Sequence, residues 1–202
     1  YSYYNYKIGD GFRENSDYIS NNFYIHLGYN ISKKTKLTGE ISYLKYLAHQ
    51  AGGLSDRMFN LNPLQSNRSR NWFGLDWFLF NMKLKHKFND KSNLSLSFFG
   101  LDAERNSIGF RTNRVDQIDP FTERDLIKGN FNNHGIEIKF LNNYSFLNKK
   151  NVFVVGGKYY RSKSTSQQGP GSEKEDADFN FYLDKFPNYT NQSDYVYPNK
   201  NF

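Results

Sequence analysis

The stretch that decides the fold runs from Asn22 to Tyr43 and reads NFYIHLGYNISKKTKLTGEISY. Apolar residues recur at every second position on both sides of a polar centre, with Gly39 as the exception; they are Phe23, Ile25, Leu27, Tyr29, Ile31, Leu37, Ile41 and Tyr43. The positions between them are mostly polar. Because successive side chains of a β-strand point to opposite faces, the pattern predicts two strands, each with one apolar face, joined by a tight turn.

The same alternation extends over the rest of the chain. It predicts strands at Tyr1 to Ile8, Asn22 to Ile31, Lys36 to Tyr43, Arg70 to Phe88 and Asn93 to Arg111, a further pair on either side of Asn148 to Asn151, and the start of an eighth. Short turns at Ser32 to Thr35, Asn89 to Ser92 and Asn148 to Asn151 alternate with long loops at Gly9 to Asn21, Ala48 to Ser69, Asn113 to Lys128 and Ser166 to Pro198. An up-and-down meander whose two ends face different environments has this arrangement, as transmembrane barrels do.

Composition narrows the class further. The chain has 202 residues and 18% aromatic residues, and its mean hydropathy is −0.82. No segment approaches the ~20 apolar residues of a membrane-spanning helix, and the aromatic content argues against disorder. We therefore predict an all-β fold, a partial antiparallel up-and-down transmembrane β-barrel, in which only every second residue faces lipid.

Charges and aromatics are placed as such a barrel requires. The polar faces carry charged residues in mid-strand, which suits a wet lumen; they are Glu40, Lys83, Lys85, Glu137 and Lys139. A soluble sandwich presents such charges to solvent equally well, so alternation alone leaves that alternative open. Aromatic residues gather close to the short turns, where a barrel has its interfacial girdle; they are Tyr29, Phe88, Tyr144 and Phe146.

No constellation of residues predicts catalysis or a resident metal or cofactor. There is no cysteine, and the four histidines share no ligand spacing. The acidic residues from Glu173 to Asp178 indicate a solvated loop, and Gln168 to Ser172 indicates a sharp turn. The net charge of +7 is dispersed and no nucleic-acid motif accompanies it, so anionic headgroups or an anionic lumen ligand are the partners expected, rather than nucleic acid.

One series of motifs resembles a known family. Ala51-Gly52-Gly53-Leu54, then Asn62-Pro63-Leu64-Gln65-Ser66, then the segment from Arg68 to Phe73 resemble the TonB-dependent outer-membrane receptors, in particular the ferric citrate receptor branch. Supporting stretches follow a plausible order along most of the chain; they are Gly11 to Arg13, Asn106 to Arg111, Gly157 to Tyr160, Gln168 to Ser172 and Asp178 to Phe181.

The resemblance implies a 22-stranded barrel with an N-terminal plug domain, which imports a ferric chelate with energy delivered by the TonB complex. Residues 1–202 would then be about seven or eight strands of one barrel domain, without the plug and the C-terminal strands. It also implies the outer membrane of a Gram-negative bacterium and contact with its lipid and lipopolysaccharide. Iron would be present only within the transported chelate.

Candidate ligand residues follow from the charge of such a chelate. A ferric polycarboxylate is anionic, and arginine suits bidentate carboxylate recognition. The candidates near the long-loop ends are Arg13, Arg68, Arg70 and Arg111, with Gln65, Asn71 and Asn106 as neutral donors. In the alternative interpretation, Arg68 and Arg70 pair with loop carboxylates such as Asp56 or contact lipopolysaccharide. From strand parity we expect Asn71 to face the lumen. Arg70 and Trp72 have the opposite parity, so Trp72 is expected to face outward.

Two other functions remain open at this point. One is a small complete outer-membrane barrel whose long loops bind a surface or host ligand. The other is an extracellular β-rich module that binds carbohydrate or nucleic acid, which would be soluble without detergent.

Overall fold

A computed structural model describes residues 1–182 and 193–201. In these residues it has one eight-stranded antiparallel sheet, in which neighbours along the chain are neighbours in the sheet. The strands are β1 (Ser2–Gly9), β2 (Tyr18–Asn30), β3 (Thr35–His49), β4 (Trp72–Lys87), β5 (Ser92–Gly109), β6 (Asp125–Phe146), β7 (Lys149–Pro170) and β8 (Ser193–Asn201). The predicted up-and-down all-β fold is confirmed.

The short turns all lie at one end of the sheet. Residues 31–34 and 88–91 form two of them, and in the second the Asn89 side chain accepts hydrogen bonds from the N–H groups of Lys91 and Ser92, both at 2.9 Å. The third contains only Leu147 and Asn148, with φ of 51° and 60°, as a common two-residue hairpin turn requires. The prediction placed this turn slightly too late, at Asn148 to Asn151, because β7 already begins at Lys149.

The strand register keeps the predicted apolar alternation on one face of the sheet, here called the apolar face. Phe98 pairs with Ile136, which pairs with Tyr159, and the predicted girdle aromatics share this parity. This face is uncovered: Leu27 is 62% exposed and Met82 is 52% exposed. A soluble sandwich would bury such a face against a second sheet, and none exists in residues 1–182 and 193–201.

The opposite, polar face is the concave one. Tyr24 of β2, Glu40 of β3, Asn81 of β4, Phe99 of β5 and Tyr160 of β7 all line one pocket of about 450 Å³. Side chains from strands this far apart meet only on the inside of a curved wall. β1 and β8 do not pair with each other in the described residues, so the sheet is an open wall.

The long connectors differ from the prediction in their bounds and in their content. The predicted loops Gly9 to Asn21, Ala48 to Ser69 and Asn113 to Lys128 are observed as connectors 10–17, 50–71 and 110–124, mainly because backbone pairing continues beyond the alternating residues. Connector 50–71 contains a short helix, α1 (Asp56–Leu61), whose N-terminus is capped by Ser55; one and a half turns are too short to show a helical period. The last connector was predicted from Ser166 to Pro198, with a turn at Gln168 to Ser172, but β7 continues to Pro170 and β8 begins at Ser193. Residues 183–192 of this connector lie outside the described residues.

No helix in the described part of the chain is long and apolar enough to cross a membrane.

Candidate ligand-binding loop cluster

Three long connectors pack together at the end of the sheet opposite the short turns. Residues 50–71, 110–124 and 171–182 form this loop cluster. Its base contains the buried side chains of Ile108 and Leu126, at 1% and 0% exposure, and Gly171 lies so close that an added Cβ would be 2.6 Å from Ile108 Cδ1. The cluster buries few apolar residues, so polar contacts hold most of it together.

Arg70, two residues before β4, is the first of two buried arginines in the cluster. It is 1% exposed. Its Nε and Nη2 donate to the two carboxylate oxygens of Asp119 at 3.0 and 2.5 Å, and its Nη1 donates to the carbonyl oxygens of Thr122 and Glu173 at 3.1 and 2.7 Å. One guanidinium thus joins all three connectors, with the bidentate geometry that favours arginine over lysine.

The Asp119 carboxylate is held ionised by this arrangement. Burial opposes its ionisation, but hydrogen bonds from Arg70 and from the Phe121 N–H, with the charges of Arg70 and Arg68, outweigh burial and hold the pKa of Asp119 below its ordinary value. Phe121 has a φ of 57°, which a non-glycine residue rarely adopts, and its N–H donates to Asp119 Oδ1 at 2.8 Å. The ion pair therefore also stabilises a strained loop conformation.

Arg124, which directly precedes β6, is the second buried arginine. Its Nε donates to the Ser172 carbonyl and its Nη2 to the Ser172 hydroxyl, both at 2.8 Å. Its Nη1 donates to the carbonyl oxygens of Arg70 at 2.9 Å and Asp176 at 2.7 Å. Burial and the nearby charge of Arg70 lower the pKa of Arg124, but an arginine starts so high that it stays protonated at neutral pH.

Three of the predicted ligand residues are structural parts of this cluster. Arg68 is 5% exposed, its Nη1 donates to the Gln117 carbonyl at 3.1 Å, and its guanidinium covers the Phe110 ring at 5.0 Å. Asn71 makes a reciprocal pair of hydrogen bonds with the Phe110 backbone. Arg68, Arg70 and Asn71 therefore contact protein groups within the cluster, and their role in ligand binding stays a prediction. Arg70 does pair with a loop carboxylate, but with Asp119 rather than Asp56.

Three further predicted ligand residues either donate hydrogen bonds to nearby protein groups or face away from the concave side. Arg13 donates to the carbonyl of Gly52, and Gln65 donates to the carbonyls of Met58 and Asn62 within its own connector. Asn106 has the parity of the apolar face, where its register partner is Lys128 and its Nδ2 donates to Glu104 at 2.8 Å. Asn106 therefore faces outward and not into the concave side.

Arg111 is the predicted residue that remains available. It is exposed, and its Nη2 contacts the Ser107 hydroxyl at 3.2 Å, which places it over the upper concave face. Arg105 is exposed on the same face, and neither residue forms an ion pair within residues 1–182. Sequence reasoning missed Arg105, although its parity matches that of the polar residues Ser95 and Ser97 on the same strand.

Comparison with known proteins is informative among solved structures. No protein-family model matches the chain, and no curated protein matches it. Among solved structures, it superposes on the ferric citrate transporter FecA in its unliganded form with a TM-score of 0.75, at 16% identity, over 85% of this chain and 25% of that chain. The chain has the fold of part of that β-barrel. It spans a quarter of the length of the FecA chain.

The comparison and the geometry support different statements. The TM-score of 0.75 establishes the shared fold, and an identity of 16% leaves the ligand open. The site geometry separates the arginines into two groups, which sequence identity cannot do. Arg70 and Arg124 are buried and hold the loop cluster together. Arg105 and Arg111 are exposed beside the concave face. In the described residues, no group of three or more acidic, histidine or cysteine side chains is placed to bind a metal ion.

Proposed function

We propose that the chain is a wall segment of a TonB-dependent active importer of a ferric chelate, with ferric citrate as the first candidate. The observation that carries the proposal is the likeness of its fold to the ferric citrate transporter FecA over 85% of the chain. Residues 1–202 would be one stretch of a larger barrel domain, completed by further strands and by a plug domain through which the TonB complex acts. Iron arrives as part of the chelate, and no resident cofactor is proposed.

The exposed apolar face supports a position in the outer membrane of a Gram-negative bacterium. On β4 and its turn, the outward positions from Phe78 to Phe88 are apolar except for His86. Ten residues at ~3.3 Å each are about 33 Å of strand, and a tilt of ~40° reduces this to about 25 Å, the height of the lipid-facing band of such barrels. Outer-membrane lipid would cover this face, with lipopolysaccharide around its upper edge.

Two arginines supply the chemistry for an anionic chelate. Arg105 and Arg111 lie on the concave side near the loop cluster and are exposed. Neither forms an ion pair within residues 1–182, although Arg111 is close enough to Asp125 to interact with it electrostatically. A polycarboxylate that enters from the long-loop end would meet both before reaching the mid-height pocket. Guanidinium groups bind carboxylates in bidentate geometry without further ordering of the planar fork.

Growth under iron limitation tests the transport class and the substrate together. A deletion strain that lacks redundant importers should fail to grow on ferric citrate as the sole iron source, and should recover with the intact gene. Uptake of radioactive iron should saturate with chelate concentration and require the membrane potential. Unimpaired growth of the deletion strain on ferric citrate would exclude ferric citrate as the substrate. A growth defect on a different chelate that the intact gene restores would identify the correct substrate.

A variant pair tests the site within the same strain. Complementation with Arg105→Gln plus Arg111→Gln should lower uptake about tenfold or more, since each lost charged hydrogen bond weakens binding by ~1.5–3 kcal/mol. Arg114→Gln is the matched control, because Arg114 is an exposed arginine of the same connector that is already paired with Asp116. Equal uptake by all variants would contradict the ligand site and leave the transport class untouched.

A further inference from the structure

Lysines gather on the concave face between the mid-height pocket and the short turns. Glu40, Asn81 and Phe99 form the pocket row, and two more register rows follow it on the same face toward the turns. The first contains Thr38, Lys83, Ser97, Glu137 and Lys158, and the second contains Lys36, Lys85, Ser95, Lys139 and Gly156. Each row is two residues, or about 7 Å along the strand, from the one before. Together the two rows carry five lysines and one carboxylate.

The middle of these rows is a recess with a floor of two serines. Ser95 lies between Lys85 and Lys139 in its row, so the backbones of the two lysines are two strand spacings or about 10 Å apart. Ser97 lies beside Lys83 in the other row. Because serine is much shorter than lysine, the lysine side chains stand on both sides of the two hydroxyls. Lys83, Lys85, Ser95, Ser97 and Lys139 are here called the lysine recess.

Most of the positive charge of the lysine recess is not balanced within the described wall. Lys83 and Lys85 form no ion pair within residues 1–182, and Lys139 pairs with Glu137 at 3.1 Å. Lys36 is directly opposite Lys85, and like charges in directly opposite positions destabilise a sheet. An anion held between the lysines offsets this repulsion.

Neighbouring charged groups of the concave face have other contacts. The Lys158 ammonium lies over the rings of Phe99 and Tyr160, at 5.0 and 5.7 Å from their centroids. The Glu40 carboxylate is 3.0 Å from Nδ1 of His26. Ser95 and Ser97, in contrast, have no side-chain hydrogen bond within residues 1–182. The floor of the recess is therefore free to donate.

We propose that the lysine recess binds a phosphoryl group, either as inorganic phosphate or at the end of a small solute. The recess holds lysine and serine and no arginine; a planar carboxylate is best bound by the planar fork of arginine, whereas lysine binds phosphate as a point charge. The ammonium groups donate from two sides and the hydroxyls from the floor, and donors in three directions suit a tetrahedral anion. This site goes beyond the proposed function and does not rest on it, because Arg105 and Arg111 lie toward the long-loop end.

Titration of the full-length protein with inorganic phosphate tests the proposal. The protein is purified in mild detergent, and binding is measured from the broadening of the phosphorus NMR signal, which should saturate in the wild type. Lys85→Gln plus Lys139→Gln should weaken binding about tenfold or more. Lys7→Gln plus Lys158→Gln removes the same charge from the concave face outside the recess and should bind as the wild type does. Equal binding by the two double variants would overturn the proposal.

A serine variant distinguishes a built site from a diffuse positive field. Ser95→Ala plus Ser97→Ala keeps every charge and removes the two donors of the floor, so it should weaken phosphate binding about fivefold or more. Unchanged binding would show that only the overall charge attracts the anion, and it would overturn the recess.

Competition experiments distinguish phosphate from a carboxylate. Glycerol phosphate should displace inorganic phosphate, because the recess contacts only the phosphoryl end; failure to do so would assign inorganic phosphate as the ligand. Iron-free citrate should displace it at least tenfold less well. Equal displacement by citrate would overturn the preference for phosphate. Absence of phosphate binding to the wild type would also overturn the proposal, as expected if a carboxylate of a domain inside the barrel occupies the recess.

Failure of this proposal is separable from failure of the proposed function. Heat-modifiable migration checks that each variant is folded. Normal ferric citrate uptake together with unchanged phosphate binding in the Lys85→Gln plus Lys139→Gln variant would reject the recess and leave the importer standing. Saturable phosphate binding by a protein that does not restore growth on ferric citrate would retain the recess and reject only the importer.

Discussion

Replacement of Asp119 by alanine leaves the Arg70 guanidinium buried without its counter-charge. The change removes both hydrogen bonds of the ion pair, at 3.0 and 2.5 Å, and leaves those to Thr122 and Glu173. Removing one partner of a buried pair costs ~3–5 kcal/mol, and two charged hydrogen bonds at ~1.5–3 kcal/mol each give a similar range. Because two carbonyl contacts remain, we expect a loss of about 3 kcal/mol in the free energy that holds the loop cluster closed.

Hydrogen exchange of the purified protein measures this loss locally. A 3 kcal/mol loss corresponds to exchange faster by about two decades at amides of the loop cluster. The Gly171 N–H, which donates to the Arg124 carbonyl at 2.7 Å, is one reporter, and the amides of β5 should not change. Asp116→Ala is the control, since Asp116 is an exposed partner of Arg114 in the same connector.

The outcomes separate a structural ion pair from a surface one. Arg70→Met added to Asp119→Ala should recover part of the lost protection, because an apolar side chain needs no counter-charge. Indistinguishable exchange in Asp119→Ala and Asp116→Ala would refute the structural role of Arg70, as would a uniform change over the whole sheet.

Three further outcomes are expected. The folded pKa of Asp119 is lowered, so the stability that its ionised form gives to the loop cluster is complete above the ordinary pKa of ~3.9 and is lost as pH falls through the folded pKa. Hydrogen exchange in the loop cluster, corrected for its intrinsic rate, should therefore rise below about pH 4 in the wild type but not in Asp119→Asn. Phe98→Asp, on the apolar face, should reduce assembly in the outer membrane as read by heat-modifiable migration, whereas Ser97→Asp on the concave face should not. Arg111→Gln should weaken binding of ferric citrate to the purified protein about tenfold, and Arg114→Gln should not; fluorescence titration measures both.

Most of the fold was predictable because strand parity is a local property. A residue such as Phe78 shares a face with Phe80 and Met82 whatever the rest of the chain does, and the observed register keeps these residues together. Strand ends were less predictable. β7 continues to Pro170 through serine, threonine and glutamine, where alternation of apolar and polar residues disappears but backbone pairing with β6 does not.

The loop cluster was not predictable, because its contacts join residues that are distant in sequence. Arg70 and Asp119 are 49 positions apart, and Arg124 and Ser172 are 48 apart. No local pattern marks such a pair. The acidic run from Glu173 to Asp178 was interpreted as a solvated loop, yet its backbone carbonyls accept hydrogen bonds from Arg70, Arg124 and Trp72.

Burial divides the arginines into two roles that sequence alone treats as one. Irregular connectors leave backbone carbonyls without strand partners, and buried carbonyls need donors. Arg70 and Arg124 meet that need with five N–H groups each and no acceptor of their own, and the bonds that hold the loop cluster occupy most of those donors. Arg105 and Arg111 keep their guanidinium groups exposed toward the concave side. Under the proposed function, a chelate would meet arginines held at the edge of a fastened cluster, and less of its binding energy would be spent on ordering the loops.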